Sequence, residues 1–424
     1  MGITLRCIDC GKEFEPSRIY ECSNCGGIFD VVPDLDFIRE KISKRLFDSR
    51  LGSREFPYRS GVWRFRELIH PLVKDKEIVS RPEGDTNLYS HKKVIQYTGI
   101  ENIFMKHEGE NPTGSFKDRG MTAGISEAKR LGMNLVACAS TGNTSASMAA
   151  YASMAGMRSI VFIPEGEIAF GKLSQAMAYG AQVFQVSGNF DDAMSLVQKS
   201  SRELGIYLLN SINPWRVEGQ KSIMFELIQQ LNWSSPDWVV VPAGNLGNTS
   251  AFGKAFDELE KLELIEEIPR IASIQATGAD PFYRTWKEKK EELEPVKDPE
   301  TIATAIKIGN PVSWKKALRT IKLTNGIVEE VTDQEIMDAK AVIDSSGIGC
   351  EPASAASVAG AKKLVESGMI DKKERVVCII TGNILKDPDA TINYHLGKLK
   401  GISPRFPNNP VVIEASLDAV RNVI

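Results

Sequence analysis

From about residue 80 onward, short β-branched runs alternate with helix-length patterns, and few folds satisfy that alternation. Asn134–Ala139, Arg158–Ile163, Ala181–Val186, Trp238–Val241, Arg270–Gln275 and Arg375–Thr381 read as strands. Between and after them, helices are expected through Met154, over Lys172–Tyr179 and Phe190–Leu204, from Thr249, and over Thr332–Ser345 and Pro352–Ser367. Parallel neighbours need a crossover, so this order predicts an α/β chain with parallel sheets covered by helices. The 424 residues allow two or three domains. With 42% hydrophobic and 25% charged residues, the chain can bury a core and disorder is excluded. A net charge of −3 gives no general attraction to nucleic acid or anionic membrane. No apolar run approaches the roughly 20 residues of a membrane span. The start, MGITLRCIDC, lacks the form of a signal peptide, so the expected compartment is the cytoplasm.

The seven cysteines divide in two. Cys7, Cys10, Cys22 and Cys25 form C-x2-C-x11-C-x2-C, and Cys138, Cys350 and Cys378 lie singly in apolar or small-residue stretches. The first 35 residues are too few to hold a core unaided. Four thiolates at this spacing suit a tetrahedral zinc, expected here as a structural ribbon. Zinc ribbons can bind nucleic acid, but residues 1–34 carry three basic groups against six acidic ones, a balance that repels phosphate. No nucleic-acid partner is therefore expected.

Glu110–Gly120, ENPTGSFKDRG, places Lys117 after a turn-forming run and just ahead of a helical pattern. Ser115 or Asp118 is placed to cap that helix. A lysine held there and partly desolvated has a lowered pKa and a nucleophilic amine, as imine-forming chemistry requires. A solvated surface lysine is the plain alternative. A P-loop fails because Ser115 stands where its lysine belongs. Gly166–Lys172 fails too, because Leu173 replaces the metal-binding hydroxyl. The four histidines, His70, His91, His107 and His395, suggest neither a triad nor a metal cluster.

In an open α/β sheet, ligands bind at the carboxyl ends of strands. Three strand exits carry a Gly-Asn pair: STGNTSAS from Ser140, PAGNLGN over Pro242–Asn248, and TGNILKD over Thr381–Asp387. Any one of them could be turn punctuation. PAGNLGN is the best phosphate cradle, since Gly244 and Gly247 admit close approach and the helix start offers free N–H groups.

Taken in order and spacing, ENPTGSFKDRG, STGNTSAS, PAGNLGN, EPASAAS (Glu351–Ser357) and TGN resemble the pyridoxal-phosphate enzymes of the tryptophan-synthase β fold. Among these the chain is similar to the archaeal and bacterial threonine synthases that carry a cysteine ribbon. Arg81–Leu88, RPEGDTNL, resembles the family's G-E-G-x-T-P-L segment but departs from it at Pro82, Asp85 and Asn87. The resemblance implies a ribbon over 1–35, a connector over 36–54, and a large cofactor-binding domain from 55–120 and 216–400. It also implies a small domain over 121–215 and a tail over 401–424.

The resemblance implies the site as well. Lys117 matches the catalytic lysine that holds pyridoxal 5'-phosphate, and Asn143 the residue at the cofactor's phenolic oxygen. Gly244, Asn245, Leu246, Gly247 and Asn248 match the loop on its phosphate, and Thr381 the hydroxyl at its ring nitrogen. Ser140, Thr141 and Thr144 match the turn that meets the substrate. Asn210, Ser211 and Arg216 match a cluster for the substrate's own phosphate. The implied reaction turns O-phospho-L-homoserine and water into L-threonine and phosphate. A lyase acting on O-phosphoserine and a threonine or serine dehydratase are the same-fold alternatives. The expected partner is this small molecule alone, without nucleic acid or membrane, and the expected assembly is a homodimer.

Overall fold

The computed structural model describes residues 2–166, 170–188 and 190–424. The P-loop-like stretch Gly166–Lys172 therefore lies partly outside the described residues. The thirteen described strands fall into three sheets. The smallest, ordered β2–β1–β3, is antiparallel and comprises β1 (Ile3–Cys7), β2 (Glu13–Phe14) and β3 (Phe29–Pro33). The largest contains β4 (Leu88–Tyr89), β5 (Asn102–His107), β10 (Trp238–Pro242), β11 (Arg270–Ala276), β12 (Ile327–Val331) and β13 (Arg375–Ile380). Its order is β12–β11–β10–β13–β5–β4, parallel except at the β4 edge. The third sheet, all parallel, is built from β6 (Leu135–Ala139), β7 (Arg158–Pro164), β8 (Gln182–Val186) and β9 (Tyr207–Leu208), in the order β8–β7–β6–β9.

The central strands β10 and β13 are apolar from their second residue on because both faces of the sheet are covered. Val239 and Val241 of β10 and Val377 and Ile379 of β13 join one core, with helices Pro214–Gln230, Gly247–Lys261 and Trp314–Leu323. Their neighbours Trp238, Val240, Val376 and Cys378 point the other way, onto helices Asp333–Ser345 and Pro352–Glu366. The third sheet divides likewise: Val136 and Cys138 face one core, Ala137 and Ala139 the other. Cys138, Cys350 and Cys378 are buried as expected, and burial pushes the Cys138 thiol up to about 12.

Two helices that matter for the site touch through bare backbone. A Cβ on Gly219, in helix Pro214–Gln230, would stand 2.0 Å from the Arg119 carbonyl of helix Lys117–Arg130. Glycine at this point is a packing requirement that outweighs its helix penalty of about 1 kcal/mol. Beside the crossing lies a buried ionic network. The Glu226 carboxylate meets Lys106 at 2.5 Å, Arg119 at 2.9 Å and Arg64 at 3.2 Å. It also accepts the backbone N–H groups of Asp85 and Thr86 at 2.7 and 2.9 Å. Burial would raise its pKa, but the three cations hold it well below the usual carboxylate range. The Arg81–Leu88 segment is thereby fixed. Glu83 secures its other end by accepting from Ser60, Ser80, Arg81 N–H and Tyr151.

In the ribbon, the four cysteine sulfurs all lie within 4.8 Å of one another. Cys7 and Cys25 stand 3.4 Å apart, and Cys10 and Cys22 3.7 Å. A tetrahedron with Zn–S bonds of about 2.3 Å has edges near 3.8 Å, so the thiol set fits zinc. We expect metal analysis of the purified protein to find one zinc per chain. A Cys22→Ser/Cys25→Ser variant should lose it, and equal zinc in both proteins would rule the site out.

Candidate active site

The Lys117 turn is joined to the exit of β13 by backbone hydrogen bonds. Phe116 N–H donates to the Thr381 carbonyl at 3.0 Å, and Asn383 N–H to the Gly114 carbonyl at 2.9 Å. Lys117 is the first residue of its helix, and neither expected side chain caps that helix in the usual way. Asp118 turns back instead. It accepts from Thr113 N–H and hydroxyl at 2.7 and 2.6 Å and from Ser147 at 2.5 Å. Ser115 Oγ receives only a long 3.4 Å contact from Lys117 N–H. The reason is burial: Asp118 is wholly enclosed, and three donors serve it better than one helix N–H.

The Lys117 ammonium makes no hydrogen bond or ion pair among the described residues and lies 4.1 Å from the Phe116 ring centre. Burial, aided by the Arg216 charge and opposed by Glu351, lowers its pKa from 10.5 to about 7. Part of its surface remains accessible. The result is an amine that is recessed, reachable and half neutral near pH 7.

The strand-exit loops gather around this lysine. Asn143 opens the helix after β6 and donates through Nδ2 to the Glu351 carboxylate at 3.0 Å. Thr381, at the end of β13, shares 2.9 Å with Ser354 Oγ and donates to Glu351 at 3.3 Å. Glu351 thus links a loop of the third sheet to a loop of the large one. Ser140 Oγ accepts from Gly142 N–H at 3.2 Å, and Thr141 and Thr144 are half-buried beside it. After β10, Leu246 adopts a left-handed conformation, φ 62°, and starts the helix at Gly247. Gly244 leaves no room for a side chain, since its Cβ would stand 2.9 Å from Ile306 Cα. Asn245 reaches away, donating to Ser211 Oγ at 2.9 Å and accepting Val312 N–H at 3.1 Å. Asn248 Oδ1 is buried without a partner.

Of the expected anion cluster, Asn210 behaves differently from its neighbours. Its amide exchanges two 3.0 Å bonds with the backbone of Ala139, so it prolongs the sheet beyond β9. Ser211 faces Asn245. Arg216 is 3% exposed, donates through Nη1 to the Leu209 carbonyl at 2.9 Å, and leaves Nε unpaired. No carboxylate pairs with it among the described residues. Desolvation lowers even this guanidinium to about 10. A buried cation without a counter-ion is costly unless an anion completes it.

Comparison with known proteins agrees with this arrangement. The family described as pyridoxal-phosphate dependent enzyme matches residues 79–382. The threonine synthase of Methanocaldococcus jannaschii is 48% identical over 99% of this chain and 98% of its own length. That of Methanosarcina acetivorans is 45% identical over 99% and 98%. The chain belongs to the threonine synthases. Among solved structures, Escherichia coli threonine synthase superposes with a TM-score of 0.69 over 99% of both chains at 18% identity, a likeness of fold. The maize serine racemase structure shares the fold more loosely, with a TM-score of 0.63, 21% identity and coverage of 80% of this chain and 97% of that one.

The residues fit the cofactor that this threonine synthase family uses. A lysine unpaired among the described residues supplies the amine for an aldehyde, and the glycine-bearing turn Gly244–Gly247 at a helix start offers free backbone N–H groups to a phosphate. Sequence reasoning quoted EPASAAS but assigned no role to Glu351 or Ser354. A carboxylate immediately before the helix-opening Pro352 was the available signal. Glu226 carried no local signal, and Arg119 stood in the Lys117 motif without a role of its own.

The Lys117 amine should label with an acylating reagent, in cofactor-free protein, with a midpoint near pH 7, as read by peptide mass analysis across pH. Removing the positive charge in Arg216→Ala should move that midpoint up. Glu351→Gln should move it down, because the carboxylate favours the charged amine. A midpoint near 10 in all three proteins would show that the lysine is not desolvated.

Proposed function

We propose that the chain converts O-phospho-L-homoserine and water into L-threonine and inorganic phosphate. Arg216 carries this reading: it is a buried guanidinium with no carboxylate partner among the described residues, and its charge acts on Lys117. A second anion site, centred on Arg216 and touching the loop at 244–248 through the Ser211–Asn245 hydrogen bond, calls for a second phosphate, and the substrate provides it in this reading. In this reading Lys117 holds the cofactor, Asn143 meets its phenolic oxygen, Gly244–Asn248 its phosphate and Thr381 its ring nitrogen.

Bound pyridoxal phosphate supplies an electron sink that acidifies the substrate's Cα and Cβ protons. Lys117 is suited to move those protons, because an amine with a pKa near 7 is both an available base and a competent acid at neutral pH. Arg216 presents a planar donor fork to the phosphate on Cγ, and Ser211 adds a hydroxyl. Both stabilise negative charge as the phosphate leaves. Ser140, Thr141 and Thr144 line the turn that meets the amino-acid end, and Thr144, with Ser211 and Arg216, holds the released phosphate, which assists the addition of water at Cβ. Thr381 offers an uncharged hydroxyl to the ring, which tempers its electron demand. Asn210 serves the site by fixing the turn.

The domains at 55–120 with 216–400 and at 121–215 close over the substrate in this proposal and hold back water until phosphate has gone. The confinement of β6–β9 to residues 135–208 supports that division. A zinc in the ribbon and a homodimeric assembly complete the reading. Exposed Leu385 and Ile392 supply apolar surface for a second copy.

Purified enzyme should release phosphate from O-phosphohomoserine and form threonine, with O-phosphoserine assayed in parallel. Lys117→Ala should lose the absorbance of covalently held cofactor. Arg216→Ala should keep that absorbance, raise KM for O-phosphohomoserine and lower kcat/KM by about tenfold to a hundredfold, the worth of a charge-assisted contact. Full activity of Arg216→Ala on the phosphorylated substrate would instead favour a dehydratase.

A further inference from the structure

The ribbon docks on the segment that aims Arg216. Tyr20, between the two cysteine pairs, places its hydroxyl 2.8 Å from Leu208 N–H, which donates to it. Leu208 ends β9, the edge of the third sheet, so the Tyr20 oxygen stands where a further strand would pair. The Tyr20 ring also packs edge-on against Tyr207, with centres 5.8 Å apart. The carbonyl of the same residue, Leu208, accepts Asn213 Nδ2 at 2.9 Å. Asn213 in turn caps the helix that carries Arg216, accepting Trp215 N–H at 3.0 Å. The next carbonyl, Leu209, is the one that orients the Arg216 guanidinium, at 2.9 Å.

A second contact brackets the arginine from its other neighbour. Trp215 is 1% exposed and belongs to the ribbon's own core, with Leu5, Cys7, Cys22 and Phe29. Two ribbon contacts therefore hold the residues on either side of the Leu209–Arg216 bond.

We infer that the ribbon is a positioning element for substrate recognition, in which Tyr20 and Trp215 fix the turn that points Arg216 at the substrate's phosphate. This rests on the proposed role of Arg216 as the phosphate-binding residue. The ribbon touches neither cofactor nor reacting atoms in this account. It acts through the backbone of Leu208–Leu209 and the start of one helix. A loosened turn would cost substrate affinity, because the arginine must find its geometry at the moment of binding.

The test compares holoenzymes of wild type, Tyr20→Phe, Arg216→Ala and the double variant. Tyr20→Phe keeps the ring and removes only the acceptor. It should raise KM for O-phosphohomoserine roughly three- to tenfold, with kcat, zinc content and cofactor absorbance near wild type. Inhibition by inorganic phosphate should weaken by a similar factor. In the Arg216→Ala background the same change should move KM less than about twofold, since residues acting through one group are not additive. Trp215→Phe, which loses bulk but no hydrogen bond, should shift KM in the same direction. A wild-type KM in Tyr20→Phe, or full additivity with Arg216→Ala, would overturn the inference. An unchanged KM in Arg216→Ala itself would instead remove the phosphate reading beneath it, and the ribbon's role with it.

Discussion

The buried carboxylate of Glu226 is the interaction on which the active-site geometry depends. It answers to Lys106 on β5, Arg119 on the lysine helix and Arg64 near the chain's amino-terminal connector. Arg119 is two residues beyond Lys117, and Glu226 lies on the helix that carries Arg216. One ionic cluster thus holds both functional cations on a common frame, and the backbone contact at Gly219 fixes the spacing of the two helices. Breaking a buried pair on one side leaves a bare charge at a cost of about 3–5 kcal/mol, so the cluster favours a single register between these helices.

Much of this was legible in the sequence, and the reason is local. The central strands carry unbroken apolar runs because both faces are buried, which makes Trp238–Val241 and Val376–Ile380 stand out. The lysine turn and the three strand exits announce themselves through Gly, Asn and Ser, whose conformational preferences act over a few residues. What escaped acts over long distances. Glu226 reaches Thr86 and Lys106 across more than a hundred residues, and nothing near it marks it as a hub. Asp118 looked like a cap and became the tie for Thr113 and Ser147, because a buried carboxylate takes every donor it can reach. Asn210 looked like a ligand for an anion, and its amide is spent on the Ala139 backbone. The ribbon's cysteines were plain, but no spacing rule says where a ribbon docks.

The two cations of the site are kept in opposite conditions from those of the framework. Arg119 and Lys106 are paired with carboxylates, whereas Lys117 and Arg216 have none in direct contact among the described residues. The carboxylates raise Arg119 above its ordinary range in spite of burial. Burial lowers the site cations, Lys117 to about 7 and Arg216 to about 10. The Arg216 charge adds to the lowering of Lys117. In the proposed reading, a phosphate arriving at Arg216 would neutralise it and so relieve Lys117 of a like charge, which would raise the amine's basicity when the substrate is in place. Binding and proton transfer are coupled by this arrangement without any moving part.

Such a site is strained electrostatically in the free enzyme, and the rest of the fold must hold it against relaxation. An unpaired guanidinium would ordinarily swing toward water or a nearby carboxylate. Arg216 can do neither. Its Nη1 is tied to Leu209, and the neighbouring Trp215 is locked in the ribbon core. Glu351, the nearest carboxylate to act on Lys117, is held in turn by Asn143 and Thr381. Preorganisation therefore comes from denying each charged group its cheaper alternative. The ribbon, remote from the chemistry, takes part because it closes one of those alternatives.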